Sequence, residues 1–203
     1  EIWNGSAWTE TTDLGTPRKK GQMTGTDSEA TLYFGGIDVP NNRRGYTENW
    51  NGSSWTEVAD LNTARSAFGS AGAGNPASLA FGGYTGTAYS AASESWNGSA
   101  WTETNDLNQS RAVNAGIGAT STSALYAGGY SPSAPNNYVA LTEDWNGASW
   151  VEVADLNTAR GNNAASGTAS AGFVFSGEHP SGGVTTSSEE WSGNTITTKV
   201  LTD

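Results

Sequence analysis

Short apolar runs recur along the chain at near-constant intervals, separated by polar, glycine-rich stretches. Leu32-Tyr33-Phe34, Leu79-Ala80-Phe81, Leu125-Tyr126-Ala127 and Phe173-Val174-Phe175 each place their outer two residues on one face, the period of a β-strand. A glycine pair ends each run at Gly35-Gly36, Gly82-Gly83 and Gly128-Gly129, degenerating to Ser176-Gly177. Glycine there supplies backbone angles, or a closeness of approach, that a β-carbon forbids. Upstream lie segments rich in Ala, Gly and Ser, such as Ser66–Gly74 and Ala112–Thr120, whose small side chains suit a strand crowded against its symmetry mates near an axis. Downstream, after a variable stretch, a third strand ends at a Trp. An Asn-Gly turn follows, and a second Trp opens a fourth strand, a strong hairpin signal. No segment sustains a 3.6-residue apolar period, so helix is excluded.

The pattern is an internal repeat. The first Trp falls at Trp3, Trp50, Trp96, Trp145 and Trp191, at spacings of 47, 46, 49 and 46. The second follows five residues later at Trp8, Trp55, Trp101 and Trp150, with Ile196 in the last copy. Glu1, Glu48, Glu94, Glu143 and Glu189 each stand two residues before a first Trp. An Asp-Leu-x-x-x-Arg motif recurs as Asp13/Arg18, Asp60/Arg65, Asp106/Arg111 and Asp155/Arg160. Four antiparallel strands per unit of 40–50 residues predict an all-β fold, a β-propeller of four-stranded blades in a single domain spanning 1–203. The units are a half blade at 1–17, blades at 18–64, 65–110 and 111–159, and a terminal blade at 160–203, whose lost markers fit a capping repeat. Five blades with an incomplete first one is the favoured count; four blades with a spare hairpin, or a section of a larger ring, are the alternatives.

An apolar strand ending in Gly-Gly, an aromatic about 13 residues on and a Trp about five later resembles the kelch repeat. The likeness covers nearly the whole chain. Two features depart from it: Trp replaces the usual Tyr at the first aromatic, and the loop before the second is short. The Gly-x-x-Trp hairpin is also similar to the Asp-box of sialidase-type propellers, but Trp50, Trp96 and Trp145 stand where that motif wants Asp. The kelch resemblance implies a propeller that binds proteins or carbohydrates through its loops, with catalysis in a minority. The Asn-Gly-Ser-x-Trp variety resembles repeats of phage and environmental-bacterial surface proteins.

Composition narrows the function classes. The 203 residues carry a formal net charge of −11, with nine basic residues clustered nowhere beyond Arg18-Lys19-Lys20 and Arg43-Arg44, which argues against nucleic-acid binding. Nine tryptophans argue against disorder. No stretch approaches the ~20 apolar residues of a membrane-spanning helix, so membrane insertion is not expected. The absence of cysteine removes disulfides and thiolate chemistry. The polar, Lys-poor, acidic character points to an extracellular setting, the resemblance to phage and bacterial surface repeats adds the virion surface, and the start at Glu1 points to a processed or excised fragment.

Repetition decides how the candidate chemistry is read. Trp3, Trp8, Trp50, Trp55, Trp96, Trp101, Trp145, Trp150 and Trp191 could stack on sugars, but strict recurrence assigns them to packing between blades. The recurring Glu and Asp could be read as the paired carboxylates of a glycosidase, yet such an enzyme needs one asymmetric pair. They are expected instead to form inter-blade salt bridges or turn hydrogen bonds with Arg18, Arg65, Arg111 and Arg160. His179 is the sole histidine, so no transition-metal site is expected, and no cofactor. No Gly-x-Ser-x-Gly elbow marks a nucleophile, and no Asp-x-Asp-x-Asp-Gly loop marks a calcium site. Asn4-Gly-Ser, Asn51-Gly-Ser, Asn97-Gly-Ser and Asn108-Gln-Ser fit the glycosylation sequon, but turn geometry alone explains the first three.

The asymmetric parts are the loops Ile37–Tyr46, Tyr84–Ala91, Tyr130–Leu141 and Glu178–Thr186, which leave the same edge of successive blades and carry Arg43, Arg44, Tyr46, Tyr84, Tyr89, Tyr130, Tyr138 and His179. Function concentrates in such loops, and Tyr and Arg suit recognition. The expectation is a non-enzymatic recognition or structural module that binds glycan or protein on a cell surface or virion. One alternative is a purely architectural part of a capsid, tail or fibre, attached to a larger assembly or self-associated. The other is a glycan hydrolase or lyase.

Overall fold

The computed structural model describes residues 1–113, 115–134 and 136–193, and the backbone of 196–199. Strands β1 (Ile2–Trp3) and β2 (Trp8–Thr9) form a two-stranded hairpin. Four antiparallel four-stranded sheets follow, and there is no helix among the described residues. The first contains β3 (Gln22–Gly25), β4 (Thr31–Phe34), β5 (Thr47–Trp50) and β6 (Trp55–Val58). The second contains β7 (Gly69–Gly74), β8 (Ala77–Phe81), β9 (Ser93–Trp96) and β10 (Trp101–Glu103). In the third are β11 (Gly116–Thr120), β12 (Ser123–Ala127), β13 (Thr142–Trp145) and β14 (Trp150–Glu152). The fourth has β15 (Ala164–Thr168) and β16 (Ala171–Phe175), then a small hairpin of β17 (Glu178–His179) and β18 (Gly183–Val184). It ends with β19 (Ser188–Trp191) and β20 (Ile196–Lys199). Each sheet pairs its strands in chain order, and the two Trp of a hairpin face each other across the turn, as in Trp50↔Trp55.

The first strands β3, β7, β11 and β15 pack side by side and line one cavity of about 400 Å³. Their small residues are required by contact. A β-carbon at Gly116 would lie 2.4 Å from the Ser70 carbonyl oxygen, and one at Gly118 2.9 Å from Ala71 Cβ. The segments before these strands turn rather than extend. Lys20, Ala67, Val113 and Asn162 all take left-handed backbone angles, with φ between 53° and 64°. They form a hydrogen-bond ladder: Ala67 N–H donates to Lys20 O (3.0 Å), Val113 to Ala67 (2.7 Å) and Asn162 to Val113 (2.7 Å). Among the described residues no such bond joins Lys20 to Asn162, and no strand pairing links one four-stranded sheet to another.

Sheet-to-sheet packing follows one rule. The Trp pair of each sheet lies against the second strand of the sheet before it. Trp96 and Trp101 cluster with Leu32 and Phe34, Trp145 and Trp150 with Leu79 and Phe81, and Trp191 with Leu125 and Ala127. The Trp101 ring centre lies 4.8 Å from that of Phe34, and Trp150 the same distance from Phe81. The indoles divide their hydrogen bonds. The first Trp anchors the turn of its own sheet, as in Trp50 to Ser28 O (2.8 Å). The second reaches back to the preceding sheet: Trp101 donates to Thr47 Oγ1 and Trp150 to Ser93 Oγ, each at 3.0 Å. The last copy, with Ile196 for the second Trp, has that side chain outside the described residues.

Candidate functional site

The recurring charges are consumed inside the scaffold. Arg18, Arg65, Arg111 and Arg160 have fully buried side chains and pair with Glu48, Glu94, Glu143 and Glu189; Arg65–Glu94 is 2.9 Å and Arg160–Glu189 is 2.5 Å. The pairs lie within a unit, joining its entering linker to its own third strand, so they are not the bridges between units that recurrence alone suggested. The second carboxylate oxygen accepts from the linker backbone: Gly15, Asn62, Asn108 and Asn157 N–H each donate to it at 2.7 Å. The Asn side chains add a further bond, as in Asn62 Nδ2 to Glu94 Oε2 (2.9 Å). The repeat Asp plays a separate part. Asp60, Asp106 and Asp155 each accept the backbone N–H that opens the third strand, from Thr47, Ser93 and Thr142, at 3.1–3.3 Å. Burial lowers the Arg65 pKa, and the Glu94 carboxylate opposes that.

The variable loops meet on one edge of the sheets. Tyr84, Tyr130 and Glu178 occupy equivalent positions directly after the Gly pair, where the first sheet has Ile37. Each is bridged to the strand-entry linker, as in Ser66↔Tyr84, Ala112↔Tyr130 and Gly161↔Glu178. Arg43, Tyr89 and Tyr138 bridge back to Ile37, Tyr84 and Tyr130 in turn. Contacts then run from each sheet to the next. The Arg43 guanidinium lies 5.0 Å from the Tyr84 ring centre. Tyr84–Tyr89 ring centres are 5.0 Å apart, Tyr89–Tyr130 5.2 Å and Tyr130–Tyr138 5.5 Å. The row ends where Tyr138 donates its hydroxyl to Glu178 Oε2 at 2.8 Å. A cation thus opens an aromatic row spanning all four sheets, and a carboxylate closes it.

Five of the eight loop residues named from sequence, Arg43, Tyr84, Tyr89, Tyr130 and Tyr138, fall in this row. Arg44 and Tyr46 form a separate contact, with the guanidinium 5.3 Å from the ring and 2.6 Å from Asp38 Oδ2. Burial raises the Asp38 carboxyl, but the bonds from Arg44 and the Asn42 backbone outweigh it and hold it below its ordinary value. His179, beside Glu178, meets Ser181 Oγ at 3.0 Å from Nδ1, a contact local to the β17–β18 turn. Glu178 is the row member that sequence reasoning did not single out; its signal was its register with Tyr84 and Tyr130. Burial raises the Tyr89 pKa, and the Glu178 bond, then burial, raises that of Tyr138. The rings meet at tilts of 44° and 30°, and edge-on at 83° between Tyr130 and Tyr138, and each stays partly exposed. Tyr84 commits its hydroxyl to Gly86 O (2.8 Å), whereas those of Tyr89 and Tyr130 form no hydrogen bond among the described residues.

Among the described residues, no group of three or more His, Asp and Glu is placed to hold a metal ion. No protein-family model matches the chain, and no curated protein is significantly similar to it.

Proposed function

We propose that the chain is a kelch-like β-propeller acting as a non-enzymatic recognition module on a cell or virion surface. The repeat markers and the cavity lined by all four first strands support the propeller reading. One observation carries the recognition reading. In the four complete sheets the repeat Arg and its Glu partner, and Asp60, Asp106 and Asp155, are spent on building the scaffold, while the variable loops assemble the Arg43-to-Glu178 row on one edge. Partly exposed Tyr edges with two uncommitted hydroxyls suit a hydroxyl-rich or amide-rich surface, hence glycan or protein as ligand. Such residues anchor binding while costing little conformational entropy.

The test is an array of glycans and surface proteins probed with the chain and with a Tyr89→Ala/Tyr130→Ala variant. Binding that falls at least tenfold in the variant, with unchanged unfolding temperature, is expected. A blank array, or binding indifferent to both substitutions, refutes the assignment of this edge.

A further inference from the structure

We infer that the Asn51-Gly52 turn between β5 and β6 is a site of self-catalysed deamidation, in which the Gly52 backbone nitrogen displaces the side-chain amide of Asn51 and Glu29 carries the proton. The inference is independent of the variable-loop edge, which lies at the other end of β5.

Asn-Gly turns stand at Asn4, Asn51, Asn97 and Asn146, and all four Asn are exposed. In each, the side-chain oxygen is turned onto the backbone that follows. Asn51 Oδ1 accepts the Ser53 and Ser54 N–H groups and the Ser53 hydroxyl at 3.0 Å, and the Ser54 hydroxyl at 3.5 Å. The same oxygen of Asn4 and of Asn97 accepts two N–H groups and one hydroxyl. That of Asn146 accepts two N–H groups only, because Ala148 stands where the others have Ser. Negative charge develops on this oxygen when a nucleophile adds to Cγ, and fixed donors aimed at it stabilise that transition state. The nucleophile is the nitrogen of the next residue, and among the described residues the Gly52 N–H makes no hydrogen bond. Gly52 is also the one of the four glycines with a carboxylate beside it. A β-carbon there would lie 2.9 Å from Glu29 Oε2, whereas Gly5 has nothing within 4 Å. The polar neighbours of Gly98 and Gly147 are neutral oxygens of Asn75, Pro76 and Thr122.

The reaction needs no reagent besides water. The Gly52 nitrogen attacks Asn51 Cγ and forms the new N–Cγ bond of a cyclic imide. Glu29 takes the N–H proton, directly or through one water, and returns it to Nδ2 as the Cγ–Nδ2 bond breaks, so that ammonia leaves. Solvent water then opens the imide at either carbonyl. Opening at the side-chain carbonyl gives aspartate, whose carboxylate accepts from the same donors. Opening at the main-chain carbonyl gives isoaspartate, which lengthens the turn backbone by a methylene. Either product adds a negative charge at the turn.

The experiment incubates the whole folded chain at mildly alkaline pH and follows the amide-to-acid conversion of each turn by peptide mapping with mass spectrometry. The same chain in urea is the control. Asn51 should convert faster than Asn146 by roughly tenfold or more, with Asn4 and Asn97 between them. In urea the four rates should converge, because the donors and the carboxylate are no longer held in place. Glu29→Gln, at an exposed position, should slow Asn51 and leave Asn97 unchanged. Ser53→Ala should slow Asn51 as well, by removing a donor to its oxygen. A folded chain in which Asn51 is no faster than Asn146 overturns the proposal. So does a ranking that persists in urea, which would trace it to local sequence alone, and so does an Asn51 rate indifferent to Glu29→Gln.

Discussion

Glu94 and Glu1 occupy the same place in the repeat but opposite environments, so one substitution at both sites isolates what burial of the ion pair contributes. Glu94 is 1% exposed. Its Oε1 accepts from Arg65 Nη2 (2.9 Å) and Thr63 N–H (3.2 Å), and its Oε2 from Asn62 N–H (2.7 Å) and Nδ2 (2.9 Å). Gln has the same shape, but either rotamer of its amide sets an N–H against a pair of donors. The substitution also leaves the fully buried Arg65 charge without its counter-ion. Breaking one partner of a buried pair costs about 3–5 kcal/mol. The bond from Arg65 Nη1 to Ala92 O (2.6 Å) survives and keeps the cost toward the lower end. With about 2–4 °C per kcal/mol for a chain of this size, Glu94→Gln should lower the unfolding temperature by roughly 6–12 °C.

Glu1 is exposed, and Glu1→Gln should stay within about 0.5 kcal/mol. Because repeat arrays can unfold in steps, the quantity to read is the first transition in a Trp-fluorescence melt, checked by amide exchange in β7–β10. Removing both charges with Arg65→Met/Glu94→Met should recover part of the loss, since an apolar pair of similar volume avoids the desolvation penalty. If Glu94→Gln and Glu1→Gln melt within about 2 °C of each other, the buried pair is not what holds the linker to the sheet.

Ser176 adopts φ +63°, matching Gly35, Gly82 and Gly128 at +65°, +69° and +81°. Left-handed geometry costs a side chain about 1–2 kcal/mol, and glycine gives back about 0.5–1 through its unfolded-state entropy. Ser176→Gly should therefore raise the melting temperature by about 1–4 °C, and a fall would refute the strain. Tyr138 titrates above its ordinary value because Glu178 accepts its hydroxyl, so the folded state favours the neutral phenol. That contribution is fully present below the unfolded value near 10 and is lost as pH rises through the raised folded one. In Glu178→Gln the tyrosinate absorbance, read against Tyr138→Phe, should move back toward 10; an unmoved curve would mean the bond does not form in solution.

The strands were legible because their signals are local: a period-two triplet, a glycine pair and an Asn-Gly turn each act within a few residues. The residues of the ion pairs were named as well, but which carboxylate each Arg takes, and that the pair lies within one unit, was not. Asp60 and Arg65 stand five positions apart, which invites pairing them, but the sheet brings Arg65 to Glu94 and sends Asp60 to the Thr47 backbone. Partner choice depends on which strand is third in the sheet, a fact of topology. The Tyr residues announced themselves as loop residues, yet the Tyr89–Tyr130 contact exists only because two sheets stack in register. Glu178 was hidden by the degenerate glycine pair before it, although Ser176 and Gly177 keep the same positive φ as the intact pairs.

The hairpin at residues 1–17 carries the Glu, both Trp and the Asp-Leu of the motif, but its Glu1, Trp3 and Trp8 are exposed, whereas Glu48, Glu94, Glu143 and Glu189 and the first Trp of each complete sheet are buried. In each complete sheet a first strand and an apolar second strand precede the motif. The Trp motif alone gives a two-stranded hairpin with exposed indoles, not a four-stranded sheet with buried ones. It is the outer half of a structure whose interior is set by the inner pair, with its glycines admitting close neighbours and its apolar residues receiving the next Trp. One residue pattern therefore meets different environments along the chain, because the environment of each copy is supplied by its own inner strands and by the unit before it.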